Sequence, residues 1–286
     1  MAESGNEVRY LDHGGVQRRY VLYRPRSLTR PAPVVVMLDG RGGTPWTAMK
    51  ITGWSRLAEE QGFLVVYPEA MRLHPDQPMH YLTNPQMWDA GSGGSDTDRS
   101  PVDDTGFLRA ILDDLPAQER IDPRQVYLTG FSNGASMVFR YAVTHPETLA
   151  AIAPVSGQAR VPIKQPIPPL PCLMFFGRLD PLSPCEGGEV SLPWGVREHR
   201  PSVAHSFQSW LKACGLQPET IQSRHEEGLE CFEAGTSRLV IIEDLAHVWP
   251  GGHRLLPESI VGPGSNRIDG TREIWAFFRR FQRPVG

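Results

Sequence analysis

"VYLTGFSNGASMVFRYA", residues 126–142, passes from an apolar, strand-forming run through Gly130, Ser132 and Gly134 into helix-forming residues. A polar serine flanked two positions away on each side by glycine has two readings. One is an ordinary glycine-rich turn; the other is a nucleophile held on a strained strand-to-helix corner. In the second, the small residues prevent a clash between strand and helix and the hydroxyl stands above the sheet edge. G-x-S-x-G is weak alone, because glycine and serine are common. A predicted strand before it and a predicted helix after it supply the context the motif requires.

Working outward, apolar runs alternate with helical patterns. "EVRYLDH" (7–13) and "QRRYVLYRP" (17–25) suggest an antiparallel pair joined by Gly14 and Gly15. "PVVVMLDG" (33–40) reads as a buried strand, followed by a helix around 46–61 and a strand at "FLVVYPE" (63–69). Leu108, Ile111, Leu112 and Leu115 fall at helical spacing, and "QVYLTG" (125–130) feeds the corner. "LAAIAPVSG" (149–157), "PCLMFFG" (171–177) and "SRLVIIEDL" (237–245) continue the strands; Ile274, Phe277, Phe278 and Phe281 give the last helix its apolar face. Strands apolar on both faces, alternating with amphipathic helices, predict an α/β fold: a mostly parallel sheet covered on both sides. A single catalytic domain over 1–286 accounts for this, with the proline-rich piece 161–171 as a connection within the sheet. The irregular stretches 70–103 and 178–200 are candidates for pocket walls.

Composition narrows the function. The 286 residues can bury a substantial core, and 40% hydrophobic with 21% charged residues is ordinary for a globular protein. A net charge of −3 without basic runs gives no electrostatic footprint for nucleic acid. The longest apolar runs, such as "PVVVML" (33–38), are too short to cross a bilayer. "MAESGNEVRYLDHGG" has no basic start followed by an apolar core, so the expectation is a cytoplasmic protein if the chain is complete and an exported one if a leader was removed. Cys172, Cys185, Cys214 and Cys231 show no metal-ligand spacing and read as buried small side chains.

A serine hydroxyl needs a base to take its proton and a carboxylate to orient that base. On a fold of this kind the chain order is Ser, Asp or Glu, then His, each after a strand. Asp180 in "CLMFFGRLDP" follows a strong strand and is otherwise a turn aspartate; Asp244 is the runner-up orienter. His247 in "VIIEDLAHVWPGG" comes just after the last strand, and only His253 shares that downstream region. The second oxyanion donor is expected from "MLDGRGG" (37–43), through the N–H of Arg41 or Gly42, beside that of Asn133. A phosphate loop is a poor reading of this segment, since no Gly-Lys-Ser/Thr follows it, and no HExxH or paired His-x-His is present to suggest a metal.

With these segments in place, the chain resembles the bacterial polyhydroxybutyrate depolymerase and feruloyl esterase family of α/β-hydrolases from about residue 17 to 281. The resemblance rests on "LDGRGG", "VDDTGFL" (102–108), "GFSNGAS", "GRLDP" with "PCEGG" (184–188), "HVWPGG" (247–252) and "DGTREIWAFF" (269–278). It implies Ser132 as nucleophile, Asp180 as orienter, His247 as base, and Asn133 with Arg41 as the oxyanion hole. It also implies a Cys214–Cys231 disulfide, which would favour an exported protein. The family usually has His-Gly after the early strand, where this chain has Asp39-Gly40; an ionised Asp39 would oppose an oxyanion, so its side chain is expected to face away.

Trp249, two residues from His247, is expected in the pocket wall and Trp88 is a second aromatic candidate, whereas Trp194 is assigned to loop packing. Asp96, Asp98, Asp103 and Asp104 invite a calcium reading but lack EF-hand spacing, so helix capping by Asp103 or Asp104 is expected instead. The function expected is a serine carboxylesterase needing no cofactor or metal. Its substrates would be feruloyl or acetyl esters of plant polysaccharide, or hydroxyalkanoate esters. The alternatives are a peptidase or amidase on the same fold and a non-catalytic binding protein.

Overall fold

Strand β3 (Ala32–Leu38) is the hydrophobic axis of the molecule, and every one of its residues is buried. Val34, Val36 and Leu38 face one apolar cluster while Val35 and Met37 face the other, the two-residue alternation of a strand covered on both sides. The computed structural model describes residues 5–26, 28, 31–91, 102–161 and 166–284. Around β3 run β1 (Gly5–His13), β2 (Val16–Arg24), β4 (Leu64–Pro68), β5 (Ile121–Phe131), β6 (Ala151–Val155) and β7 (Cys172–Gly177). A separate hairpin, β8 (Gly188–Ser191) and β9 (Arg197–Arg200), precedes β10 (Gln222–Glu226), β11 (Leu229–Ala234) and β12 (Ser237–Ile242).

Ten of these form one sheet in the order β1-β2-β4-β3-β5-β6-β7-β12-β11-β10. Its middle, from β4 to β12, is parallel; β1 with β2 and β10 with β11 add antiparallel flanks. The first hairpin turns at Gly14 and Gly15, whose φ angles of 60° and 77° suit a two-residue turn.

Helices cover both faces. On one side lie α3 (Asp104–Gln118), α4 (Asn133–Thr144) and α5 (Val203–Ala213), through Phe107, Ile111, Phe139 and Trp210. On the other, α1 (Pro45–Thr52), α2 (Trp54–Gln61) and α7 (Gly270–Phe278) contribute Trp54, Leu57, Ile274 and Phe278. The short α6 (Glu258–Val261) lies between β12 and α7. The helix expected over 46–61 is two helices, because Gly53 breaks it at φ 70°. Asp103 caps α3 by accepting from the Gly106 N–H at 2.8 Å, while Asp104 forms a buried ion pair with Arg18 at 2.8 Å. Asp96 and Asp98 lie outside the described residues.

All four cysteines are free and buried, which corrects the expected Cys214–Cys231 disulfide. Cys214, at the end of α5, packs into one apolar cluster and Cys231, on β11, into the other. The sheet stands between the two thiols, so bonding geometry is out of reach. Among the described residues, no helix is long and apolar enough to cross a membrane.

Candidate active site

Strand β5 delivers Ser132 to the sheet edge, where its backbone takes φ 56° and ψ −117°, a conformation L-residues rarely adopt. The surrounding glycines explain how that strain is held. A Cβ on Gly130 would lie 2.6 Å from the Gly134 carbonyl oxygen, and one on Gly134 would lie 2.4 Å from that of Leu38. Gly157, just beyond β6, packs so closely that a Cβ there would come within 2.2 Å of the Ser132 carbonyl oxygen. The Ser132 N–H donates to Val155 O at 2.9 Å, tying the corner to β6.

The other two side chains come from the ends of β7 and β12. His247 lies 2.8 Å from Ser132 Oγ through Nε2 and 2.7 Å from Asp180 Oδ2 through Nδ1. A carboxylate only accepts, so Nδ1–H donates to Asp180 and Nε2 accepts the serine proton. Asp180 Oδ1 accepts the N–H groups of Leu182 and Ser183 at 2.8 and 2.7 Å, which fixes the carboxylate. Both Asp180 and His247 are buried, and the Phe131 ring lies 5.0 Å from the imidazole. Asp244 instead pairs with Arg267 at 3.0 Å, and His253 lines the cavity without approaching the serine within hydrogen-bonding distance.

Gly40 brings the loop after β3 against the serine, for a Cβ on it would sit 3.2 Å from Ser132 Cβ. Of the amides in this loop, Gly42 N–H donates to Gln86 O at 2.7 Å and Gly43 N–H to Gly40 O at 3.0 Å, which removes Gly42 as an oxyanion donor. Asn133 opens α4, where N–H groups have no intrahelical partner. Its side chain grips the Trp88 backbone in both directions, at 2.7 and 3.2 Å, and so holds the residue in place. The Asp39 carboxylate is held at the start of α1 by the Gly40 N–H at 2.8 Å and by the Thr47 hydroxyl. Burial pushes its pKa up to about 6 against the pull of these hydrogen bonds. It nonetheless borders the cavity.

Two cavities meet at Ser132. The first, about 270 Å³, is bordered by the 39–43 loop, Tyr81, Phe131, His247, Trp249 and Leu255. The second, about 210 Å³, is bordered by Leu73, Leu82, Asn133, Arg160, Glu198 and Arg200. Trp194 lines both, which corrects its assignment to loop packing; Arg41 stacks its guanidinium 4.2 Å from that ring. Trp88 is corrected in the opposite sense: it is buried behind the loop, its indole N–H donating to Asp39 O at 3.0 Å. Tyr81, Leu182 and Gly157 escaped sequence reasoning because their contacts with the site are made through space, with no local spacing to mark them.

Residues 18–183 match the profile of the esterase PHB depolymerase family. Over 94% of this chain and 81% of its own length, the inferred esterase NocK of Nocardia uniformis subsp. tsuyamanensis is 27% identical. Poly(3-hydroxyalkanoate) depolymerase C of Paucimonas lemoignei is 31% identical over 46% of this chain and 30% of its own length. Feruloyl esterase B of Piromyces equi is 26% identical over 70% and 34%. This chain thus spans about a third of the latter two proteins. The solved acetyl xylan esterase from Aspergillus awamori superposes with a TM-score of 0.65 at 14% identity, covering 95% of this chain and 98% of that one, a likeness of fold. The chain belongs to the esterase PHB depolymerase family, ester hydrolases built on the α/β-hydrolase fold.

Proposed function

We propose that the protein is a serine carboxylesterase in which Ser132, His247 and Asp180 form the catalytic triad. The observation that carries this is the continuous chain Ser132–His247–Asp180, at 2.8 and 2.7 Å, on a serine with φ 56°. Ser132 Oγ attacks the ester carbonyl carbon as its proton passes to His247 Nε2. Asp180 holds the imidazole in the reacting tautomer and stabilises the imidazolium. The N–H groups of Asn133 and Arg41 receive the oxyanion, each donor worth about 3 kcal/mol to the transition state. Collapse of the tetrahedral intermediate expels the alcohol, which takes the proton from His247. Water then repeats the sequence on the acyl-enzyme, His247 acting first as base and then as acid.

The lining of the larger cavity, with Tyr81, Phe131, Trp194 and Trp249, suits a flat aromatic or short aliphatic group. Feruloyl, acetyl and hydroxyalkanoate esters all satisfy that shape, and the names of the relatives fall in the same set. Replacing Ser132 by Ala is expected to lower hydrolysis of p-nitrophenyl butyrate by at least about 10³-fold with an unchanged circular dichroism spectrum. Retained turnover in a folded Ser132→Ala protein would remove the assignment.

A further inference from the structure

The smaller cavity beside Ser132 differs from its neighbour in charge. Three arginines, Arg41, Arg160 and Arg200, line it against one acid, Glu198. The side chains of Arg160 and Arg200 are only 13% and 9% exposed, so water does little to compensate their charge. Arg160 grips both carboxylate oxygens of Glu198, at 3.1 and 2.7 Å. Arg200 shares the same carboxylate through Nε at 2.8 Å and donates from Nη1 to the Ser183 hydroxyl at 2.6 Å. One carboxylate thus serves two guanidiniums. Burial and the adjacent Arg160 charge hold Arg200 below its ordinary pKa, against the pull of Glu198 and Asp180. Asp180 is itself committed to His247 and to two backbone amides.

Resting on Ser132 as the nucleophile, we infer that this cavity binds a carboxylate carried by the ester substrate, a second anion that the Arg160–Glu198–Arg200 cluster lacks among the described residues. Planar guanidinium forks suit a carboxylate, and the cavity opens directly onto Ser132 and Asn133. The substrates selected would be half-esters of dicarboxylic acids, or esters of hydroxy acids with a free carboxyl group. Both supply the same ligand chemistry, from the acyl and the alcohol half respectively.

Two matched pairs distinguish these sources. Mono-p-nitrophenyl glutarate is compared with its methyl-capped form, and 4-(butyryloxy)benzoate with its methyl ester. A charge-assisted contact predicts that kcat/KM favours the acid by about tenfold or more in one pair, a preference that falls with added salt and in Arg160→Gln. Acid-to-methyl ratios at or below one in both pairs would overturn the proposal, as would a preference indifferent to Arg160→Gln. Calorimetry of glutarate against the Ser132→Ala protein reads the cavity without turnover: binding supports it, and no binding overturns it. Because that measurement needs no nucleophile, its outcome is separate from failure of the serine assignment, which residual hydrolysis by Ser132→Ala would reveal.

Discussion

At Asp39 a carboxyl group only 7% exposed shares its loop with Gly40, whose Cα lies against Ser132. Burial raises its pKa to about 6 from an ordinary 3.8, so the folded protein binds this proton more tightly than the unfolded chain does. The ionised form therefore costs stability at neutral pH. The advantage of the protonated form appears as pH falls through 6 and is complete below 3.8, a gain of about 3 kcal/mol at most. Denaturant unfolding of the wild type and Asp39→Asn across this window is expected to show the wild type gaining on the variant as the solution is acidified. A difference that stays constant with pH would show that Asp39 does not titrate as described. The sequence identified Asp39 as a departure from the family pattern. It could not supply the partners Thr47 and Gly40, which decide where the carboxylate rests.

At the scale of elements, the site depends on the joint where β5, α4 and the turn after β6 meet. Gly130 and Gly134 were legible because G-x-S-x-G writes their spacing into one short segment. Gly157 was not, since it approaches Ser132 from a neighbouring strand. A Cβ there would meet backbone, not a flexible side chain, so the corner itself must move. Gly157→Ala is expected to lower kcat by about 10²-fold on neutral p-nitrophenyl esters through displacement of Ser132, with most of the fold retained. Undiminished kcat in that variant would show the packing to be dispensable.

Across the whole molecule, the strands buried on both faces, β3, β4, β6, β7 and β12, declared themselves as largely apolar runs, as did the second half of β5. The flank strand β10, "QSRHE", is exposed throughout and carries no apolar alternation to read. The hairpin β8–β9, which supplies Glu198 and Arg200, lay hidden in an irregular polar stretch for the same reason. Order along the chain sufficed to nominate Ser132, Asp180 and His247, because each follows a strand whose end lies at the same rim of the sheet. The cavity walls form only when distant loops meet, so the chemistry was more legible than the specificity. Treating the intact protein with a fluorophosphonate probe and mapping the adduct by peptide mass spectrometry tests that convergence most directly. Modification confined to Ser132, and absent in Asp180→Ala or His247→Ala over the same interval, is the predicted result; labelling at another serine, or equal labelling in those variants, would contradict it.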